Sequence, residues 1–388
     1  MIQQSARGRT GARMLASIAA LLALAALVSA QSPGARLAAA SATQTGGNGR
    51  LYIGTYAGDI QIFDEASEKL VERIALKTGI PRSLVPSADR SRFYVLDSTL
   101  EKIEIVDVAT RQTIDTFTLS EGNRRTRITS FQPDPLNRFL IILSRSATKL
   151  RDRWDIGPST LQVFDLAARR VTKTIAWPQG DERENANLRL SPDGKLLYFF
   201  GEDVLILDTE DFREVETWPL SRPFESGLGR ITFGPVHDFY DPPGIFTGLF
   251  TMQDPVQNRR MMGIGRVDLA GKRVDFQPLG PAQPVSFAQS PDRKRGYGLF
   301  SEIGRYEFWT FDLERNTLVS RQEFQGRPRM GLRVSSNGRL LYVYVAGATI
   351  DVYEATTYKH LRTIQMNADQ TTEMFVVPAA APVRPTAR

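Results

Sequence analysis

Apolar and polar residues alternate along this chain in short runs, and one run recurs. It is a stretch of two or three alternating apolar residues that ends in an acid. Clear copies are Ile60-Gln61-Ile62-Phe63-Asp64, Ile103-Glu104-Ile105-Val106-Asp107, Leu161-Gln162-Val163-Phe164-Asp165 and Val204-Leu205-Ile206-Leu207-Asp208. The last is Ile350-Asp351-Val352-Tyr353-Glu354, and weaker copies end at Asp268 and Asp312. A period of two is the signature of a β-strand. The acids stand at 64, 107, 165, 208, 268, 312 and 354, with gaps of 43, 58, 43, 60, 44 and 42.

Most copies are preceded by an apolar strand, at 51–55, 93–96, 139–143, 196–200, 296–300 and 340–345. Another strand follows after a polar turn, as at 113–119, 171–177, 215–220 and 360–366. Turn signals such as Ser191-Pro192-Asp193-Gly194, Pro133-Asp134-Pro135, Ser290-Pro291-Asp292 and Ser336-Asn337-Gly338 stand before the preceding strands. A further short strand comes before each turn. Four strands per repeat at this spacing predict a propeller blade. Seven copies predict an all-β, seven-bladed β-propeller of four-stranded antiparallel blades over 50–377. No helix-length amphipathic pattern competes. The first repeat lacks an innermost strand and the segment 372–377 is spare, so the C-terminal strand is expected to complete blade one and close the ring. An open solenoid would instead require polar capping repeats, and none is visible. The recurring acids are expected to accept turn N–H groups. A role repeated in every blade is structural, since catalysis needs one site.

Ahead of the repeats, Arg7, Arg9 and Arg13 precede an uncharged apolar run, 14–28, that ends in Val28-Ser29-Ala30. This order reads as a secretory signal peptide over 1–30; the alternative is an uncleaved N-terminal anchor. The expected location is periplasmic or secreted. Residues 31–49 read as a flexible leader and 378–388 as a disordered tail.

The whole chain carries a net charge of +6; removal of residues 1–30, with three Arg and no acids, leaves +6 − 3 = +3. With no basic stripe of interleaved aromatics, nucleic acid is not an expected partner. There is no Cys, which excludes disulfides, thiolate metal sites and thioether haem attachment on this chain. There are two His, so a multi-His metal centre is excluded. No nucleophile elbow or calcium loop occurs, and Gly263-Ile264-Gly265 and Gly227-Leu228-Gly229 lack the helix a nucleotide loop requires. No catalytic residue and no metal ligand is assigned.

With blade strands lettered a to d outward from the axis, b–c loops and d–a connectors share one face, and a–b and c–d turns share the other. The gaps of 58 and 60 mark blades three and five as enlarged. In blade three the extra residues are expected as a b–c loop, 144–160, carrying Arg145, Lys149, Arg151, Asp152, Arg153, Trp154 and Asp155. Blade five has two candidate extensions, 237–243 and 253–260, the second with Arg259 and Arg260. If 245–252 is strand b, that second extension is again a b–c loop. Both insertions are therefore expected on one face, with the short Gly201-Glu202-Asp203 loop of blade four as the floor of a cleft between them. The connectors 121–127, with Arg124, Arg125 and Arg127, and 181–184 reach the same face.

Trp154 in a charged loop reads as a lid or as an interface anchor. His237, Asp238, Tyr240 and Asp241 lie close together and suit either acid–base work or a plain turn. Met252, Met261 and Met262 are filler or an adaptable contact surface. Arg82, Arg127, Arg230 and Arg329 head innermost strands and are candidates for a channel rim facing an anionic ligand or an acidic partner. The alternative for each is a solvated surface group.

The blade repeats resemble the bacterial seven-bladed family named for its Tyr-Val-Thr-Asn repeats. The chain looks closest to the propeller (beta) subunit of quinohemoprotein amine dehydrogenase, and more distantly resembles the heavy chain of methylamine dehydrogenase. The residues that carry the likeness are Leu190-Ser191-Pro192-Asp193-Gly194 with Leu197-Tyr198, the ladder 204–208, the blade-five insertion, and Arg295-Gly296-Tyr297-Gly298-Leu299-Phe300 followed by Phe311-Asp312-Leu313-Glu314-Arg315-Asn316. The resemblance implies a periplasmic, non-redox subunit with no cofactor of its own. It would dock a small quinone-bearing subunit and a cytochrome c, and shape the substrate entrance. Quinone and haem c would reside in those partners, and docking would fall on the face of 145–155 and 237–260. Two readings stand beside it: a stand-alone periplasmic ligand- or protein-binding propeller without catalysis, and a propeller hydrolase or lyase with chemistry at the channel mouth.

Overall fold

The computed structural model of the chain describes residues 44–180, 182–201, 203–220, 231–233, 240–254, 258–326, 328, 331–344 and 347–379. The expected signal peptide, most of the leader and nearly all of the tail lie outside them. The described strands form seven four-stranded antiparallel sheets. Blades two to seven occupy 81–118, 124–175, 187–218, 231–281, 285–325 and 331–365, each a meander of strands a to d. Blade one is built differently. Its strand a is Gln370–Val377, followed outward by Arg50–Thr55, Asp59–Asp64 and Leu70–Ala75. Tyr52 pairs with Phe375 and Ile53 with Met374, and the register then shifts before Thr55 meets Gln370.

Strands b and c are nearly continuous apolar runs because both of their faces are covered. Each core lies between two successive sheets. Tyr52, Ile60 and Phe375 of blade one meet Phe93, Val95 and Val106 of blade two. Leu51, Phe63 and Met374 meet Leu340, Tyr342 and Ile350 of blade seven. Side-chain parity assigns each face. In strand b of blade three, Ile141 and Leu143 pack towards blade four, whereas Leu140 and Ile142 pack towards blade two. Outer strands have one covered face and alternate, as in Leu70–Ala75.

The recurring acids do accept turn donors. Asp64 takes the Ser67 N–H and hydroxyl, Asp107 those of Thr110, and Asp208 and Asp312 two N–H groups each. Glu354 takes the Thr357 hydroxyl. A second repeated device builds the a–b turns. The Ser191 hydroxyl donates to Asp193 at 2.5 Å and accepts the Leu196 N–H at 2.9 Å; Ser290 repeats this with Asp292 and Arg295. Blade seven uses Ser335 with Asn337. Gly194 and Gly338 follow at φ of 67° and 74°, the left-handed region that glycine enters without a Cβ clash.

One expectation is corrected. Most of 144–160 is strand and not loop, as are 253–254 and 259–260 of the blade-five segment. Strand b of blade three runs over Phe139–Lys149 and strand c over Trp154–Asp165; blade five has Ile245–Asp254 and Arg259–Asp268. Polar side chains on both faces hid the period of two, while the backbone ladder continues regardless. The last residues before blade one hydrogen-bond to it and to blade seven. The Asn337 side chain donates to the Thr45 carbonyl, and the Gly49 N–H donates to the buried Glu65.

Two outcomes are expected. Phe308 is fully buried, stacked on Tyr358 with ring centroids 4.8 Å apart and 5.1 Å from Tyr353. Phe308→Ala should cost about 3–5 kcal/mol in a denaturant titration. Hydroxyl donation from Ser191 and Ser290 holds the Asp193 and Asp292 carboxyls below their usual range. A folded-state pKa below the unfolded value gives stability that is present above the unfolded pKa, near 4, and lost as pH falls through the folded one. The double variant Asp193→Asn, Asp292→Asn should flatten the decline in stability below about pH 4.

Candidate functional site: the hairpins and cleft over blades three to five

Strand b of blade three has 11 residues, against 6 in blade two and 5 in blade four. Five or six extra residues at about 3.3 Å each carry the hairpin roughly 17–20 Å further out. Its strand a, Arg124–Pro133, extends with it: Arg125 pairs with Ala147 and Arg127 with Arg145. On the other side Trp154 pairs with Lys149 and Ile156 with Ala147. Paired residues point to the same face. Arg127, Arg145, Lys149, Trp154 and Ile156 therefore share the face turned towards blade four, whereas the Arg125 guanidinium reaches Glu101 in the b–c turn of blade two at 3.3 Å.

Trp154 and Ile156 are 50% and 65% exposed, and Leu150 at the tip is 36% exposed. Lys149, Arg151 and Arg153 are exposed around them. The same end of the propeller carries exposed Tyr56 and Ile303 in the b–c turns of blades one and six. The opposite end has Leu136, and the remaining large exposed apolar residues (Val71, Ile114, Val215 and Val319) sit on outer strands. Among the described residues, apolar tips thus concentrate at the b–c end.

Arg145 is committed to structure. Its Nε donates to the Gly157 carbonyl, Nη1 to Glu184 at 3.1 Å, and Nη2 lies 3.7 Å from Glu182. Glu182 also accepts the Ser159 N–H at 2.7 Å, and Trp177 Nε1 donates to the Ser159 carbonyl. The long hairpin is thereby tied to the connector into blade four. That connector and the blade-four b–c turn enclose a cleft of about 730 Å³ lined by Gln179, Glu182, Arg183, Asn185, Phe199 and Asp203, among others. The described lining comes from the connector and blade four and includes no residue of 144–160 or 253–260, so this is not the cleft expected between the two insertions.

The blade-five hairpin stands beyond it. Asp254 and Arg259 pair across its end with Nε and Oδ2 3.7 Å apart, on the blade-four face marked by Phe250 and Met252. Arg260 lies on the other face and donates to Thr251 at 2.8 Å. Met252 and Met262 are buried in different cores, and Met261 is half-buried.

Tyr240 and Asp241 do not join this face. Strand a of blade five is Ile231–Phe233 and strand b begins at Ile245, so the first extension is an a–b connection. It turns at the opposite end, where the Gly244 carbonyl accepts the Leu269 N–H of the c–d turn. Burial pushes the Asp241 carboxyl up, although it accepts the Thr247 N–H at 2.7 Å. His237 and Asp238 lie outside the described residues. So do Arg230 and Arg329 of the channel-rim set; Arg82 and Arg127 are exposed.

Two other inner arginines were missed. Arg189 and Arg333 each stand two residues before the serine of an a–b turn. Arg333 donates to the carbonyls of Leu332 and Met374 and to Glu373, joining the inner strands of blades seven and one. Arg189 donates to the Leu188 carbonyl and lies over the Phe246 ring; burial pushes its pKa down to about 10. The matched strings Leu-Arg-Leu-Ser and Leu-Arg-Val-Ser were the available signal.

Among the described residues, no group of three or more His, Asp or Glu is placed to hold a metal ion, and no helix is long and apolar enough to cross a membrane.

The architecture and its repeated blades define a β-propeller protein. No family model and no curated protein matches the sequence. Solved structures do share the fold. A functionally unknown protein from Desulfotomaculum acetoxidans matches at 14% identity and TM-score 0.50, covering 85% of this chain and 99% of that one. Dihydro-heme d1 dehydrogenase NirN matches at 11% and 0.50, covering 85% and 75%. The Cps50 (Swd1) propeller domain of Myceliophteria thermophila matches at 10% and 0.50, covering 76% and 89%. At these identities the likeness is one of fold.

Arg145→Ala should release Glu182 and Glu184 together. Because these charges are largely exposed, the cost in stability should stay under about 1 kcal/mol. Hydrogen exchange in peptides spanning 178–186 should nevertheless quicken, while the blade-three core amides keep their protection.

Proposed function

We propose that this chain is an extracytoplasmic, non-catalytic propeller that docks a partner protein on its b–c face, chiefly through the blade-three hairpin. The carrying observation is the exposed trio Leu150, Trp154 and Ile156, set among Lys149, Arg151 and Arg153 on a hairpin that outreaches its neighbours. A large aromatic ringed by charge has the anatomy of an interface anchor. The finer reading is the propeller subunit of a quinoprotein amine dehydrogenase. The quinone and haem c would belong to partner chains, in keeping with a chain that has no Cys. The N-terminal basic-apolar segment supports a periplasmic location. On the same reading Gln370–Val377 closes the ring, since it pairs with strand b of blade one and packs against the inner strands of blades two and seven.

A second reading, a stand-alone ligand-binding propeller, is favoured by the polar cleft beside the hairpin. Intact-complex mass analysis of the native periplasmic protein separates the two. A small quinone-positive companion is expected on the first reading, and a lone chain without cofactor on the second. Trp154→Ala combined with Ile156→Ala should weaken retention of the companion by about tenfold or more. It should lower the thermal midpoint only slightly, because both side chains are half or more exposed.

A further inference from the structure

The cleft over blade four is lined by polar side chains with unmet hydrogen-bonding capacity, and one of them is a cation. Its described acids are engaged: Glu182 by the Ser159 N–H and Arg145, Glu184 by Arg145, and Asp203 by the Leu220 N–H at 3.0 Å. The side chains of Gln179, Arg183 and Asn185 line the same cleft, and among the described residues none of them has a hydrogen-bond or ion-pair partner. The Arg183 guanidinium lies over the Phe199 ring, 4.8 Å from its centroid. The ring holds the cation in a cation–π contact, and the guanidinium's fork of N–H donors is left without a described acceptor. That fork matches a carboxylate with two parallel N–H···O bonds. Phe199 and Leu205 add an apolar wall, and about 730 Å³ suits a small organic molecule. Asp181 and Glu202, neighbours in sequence, lie outside the described residues.

We propose that this cleft binds a small organic carboxylate. Arg183 takes the carboxylate through its paired N–H groups, the amides of Gln179 and Asn185 hold the remaining oxygen lone pairs, and the ligand's apolar body rests towards Leu205. The site is separate from the exposed hairpin tip and does not depend on partner docking.

The test is isothermal titration of the full mature chain with benzoate, with neutral benzamide of the same shape, and with inorganic phosphate. Benzoate is expected to saturate, and benzamide to bind at least about tenfold more weakly. Arg183→Met keeps a packing group on Phe199 and removes the fork; it should weaken benzoate by about tenfold or more. Asn185→Ala, an exposed position, should weaken it severalfold, which gives a second reading if the first variant folds poorly. Trp154→Ala should leave benzoate binding unchanged, so failure here is distinct from failure of the docking reading. Absence of saturable benzoate binding overturns the proposal. So do equal affinities for benzoate and benzamide, saturation by phosphate alone, or a folded Arg183→Met chain that binds as tightly as the wild type.

Discussion

No sheet in this protein can stand alone. A four-stranded antiparallel sheet with both faces apolar must be covered twice, and each blade supplies the cover for its two neighbours. The apolar cores therefore lie between blades and none lies within one. Seven such cores occur, including the one that blade seven shares with blade one. Everything else follows from that reciprocal burial. It explains why strands b and c tolerate apolar residues at every position. It also explains why Gln370–Val377 is buried at Met374, Phe375 and Val376, although it comes from the far end of the chain.

Reciprocal burial also fixes where function can reside. A substitution inside a blade disturbs the core on the face that its side chain takes, whereas residues past the end of a core disturb none. The blade-three hairpin uses this freedom. Its strands keep their backbone ladder beyond Leu143 and Leu161, where apolar contact with blade four ends, and the side chains there turn polar, basic or aromatic. The Arg145–Glu182–Glu184 group, together with the Trp177 bond to Ser159, holds the base of the extension against the next connector. The tip projects from a braced root, and the cleft lies beside that root.

Much of the fold could be read from the chain. The seven acids marked the strand c ends, and their longer gaps identified blades three and five as the enlarged ones. A spare C-terminal strand pointed to the unusual make-up of blade one. The b–c position of the insertion in blade three and of the second one in blade five was also legible, because strands had been counted on either side. Their conformation was not. Once a strand leaves the core its side chains no longer need to alternate, so Arg145–Lys149 and Trp154–Ser159 carry no periodic signal. The first blade-five extension was misplaced for a related reason. Its proximity in sequence to the second says nothing of which end of a strand it leaves, and a single intervening strand put the two at opposite ends of the sheet.

The sequence by itself determined the strand period, the number of blades, the turn chemistry and the absence of thiol chemistry, since each depends on local residue order or on composition. Tertiary structure alone decided which arginines are committed and which are free. Arg145 is held by acids 37 and 39 residues away, Arg333 by Glu373 across the junction of blades seven and one, and Arg183 by no described acid, lying instead over Phe199. A guanidinium carries the same charge wherever it stands. Its role is set by the groups that the packing of neighbouring blades brings within hydrogen-bonding distance, and those groups are remote in the chain.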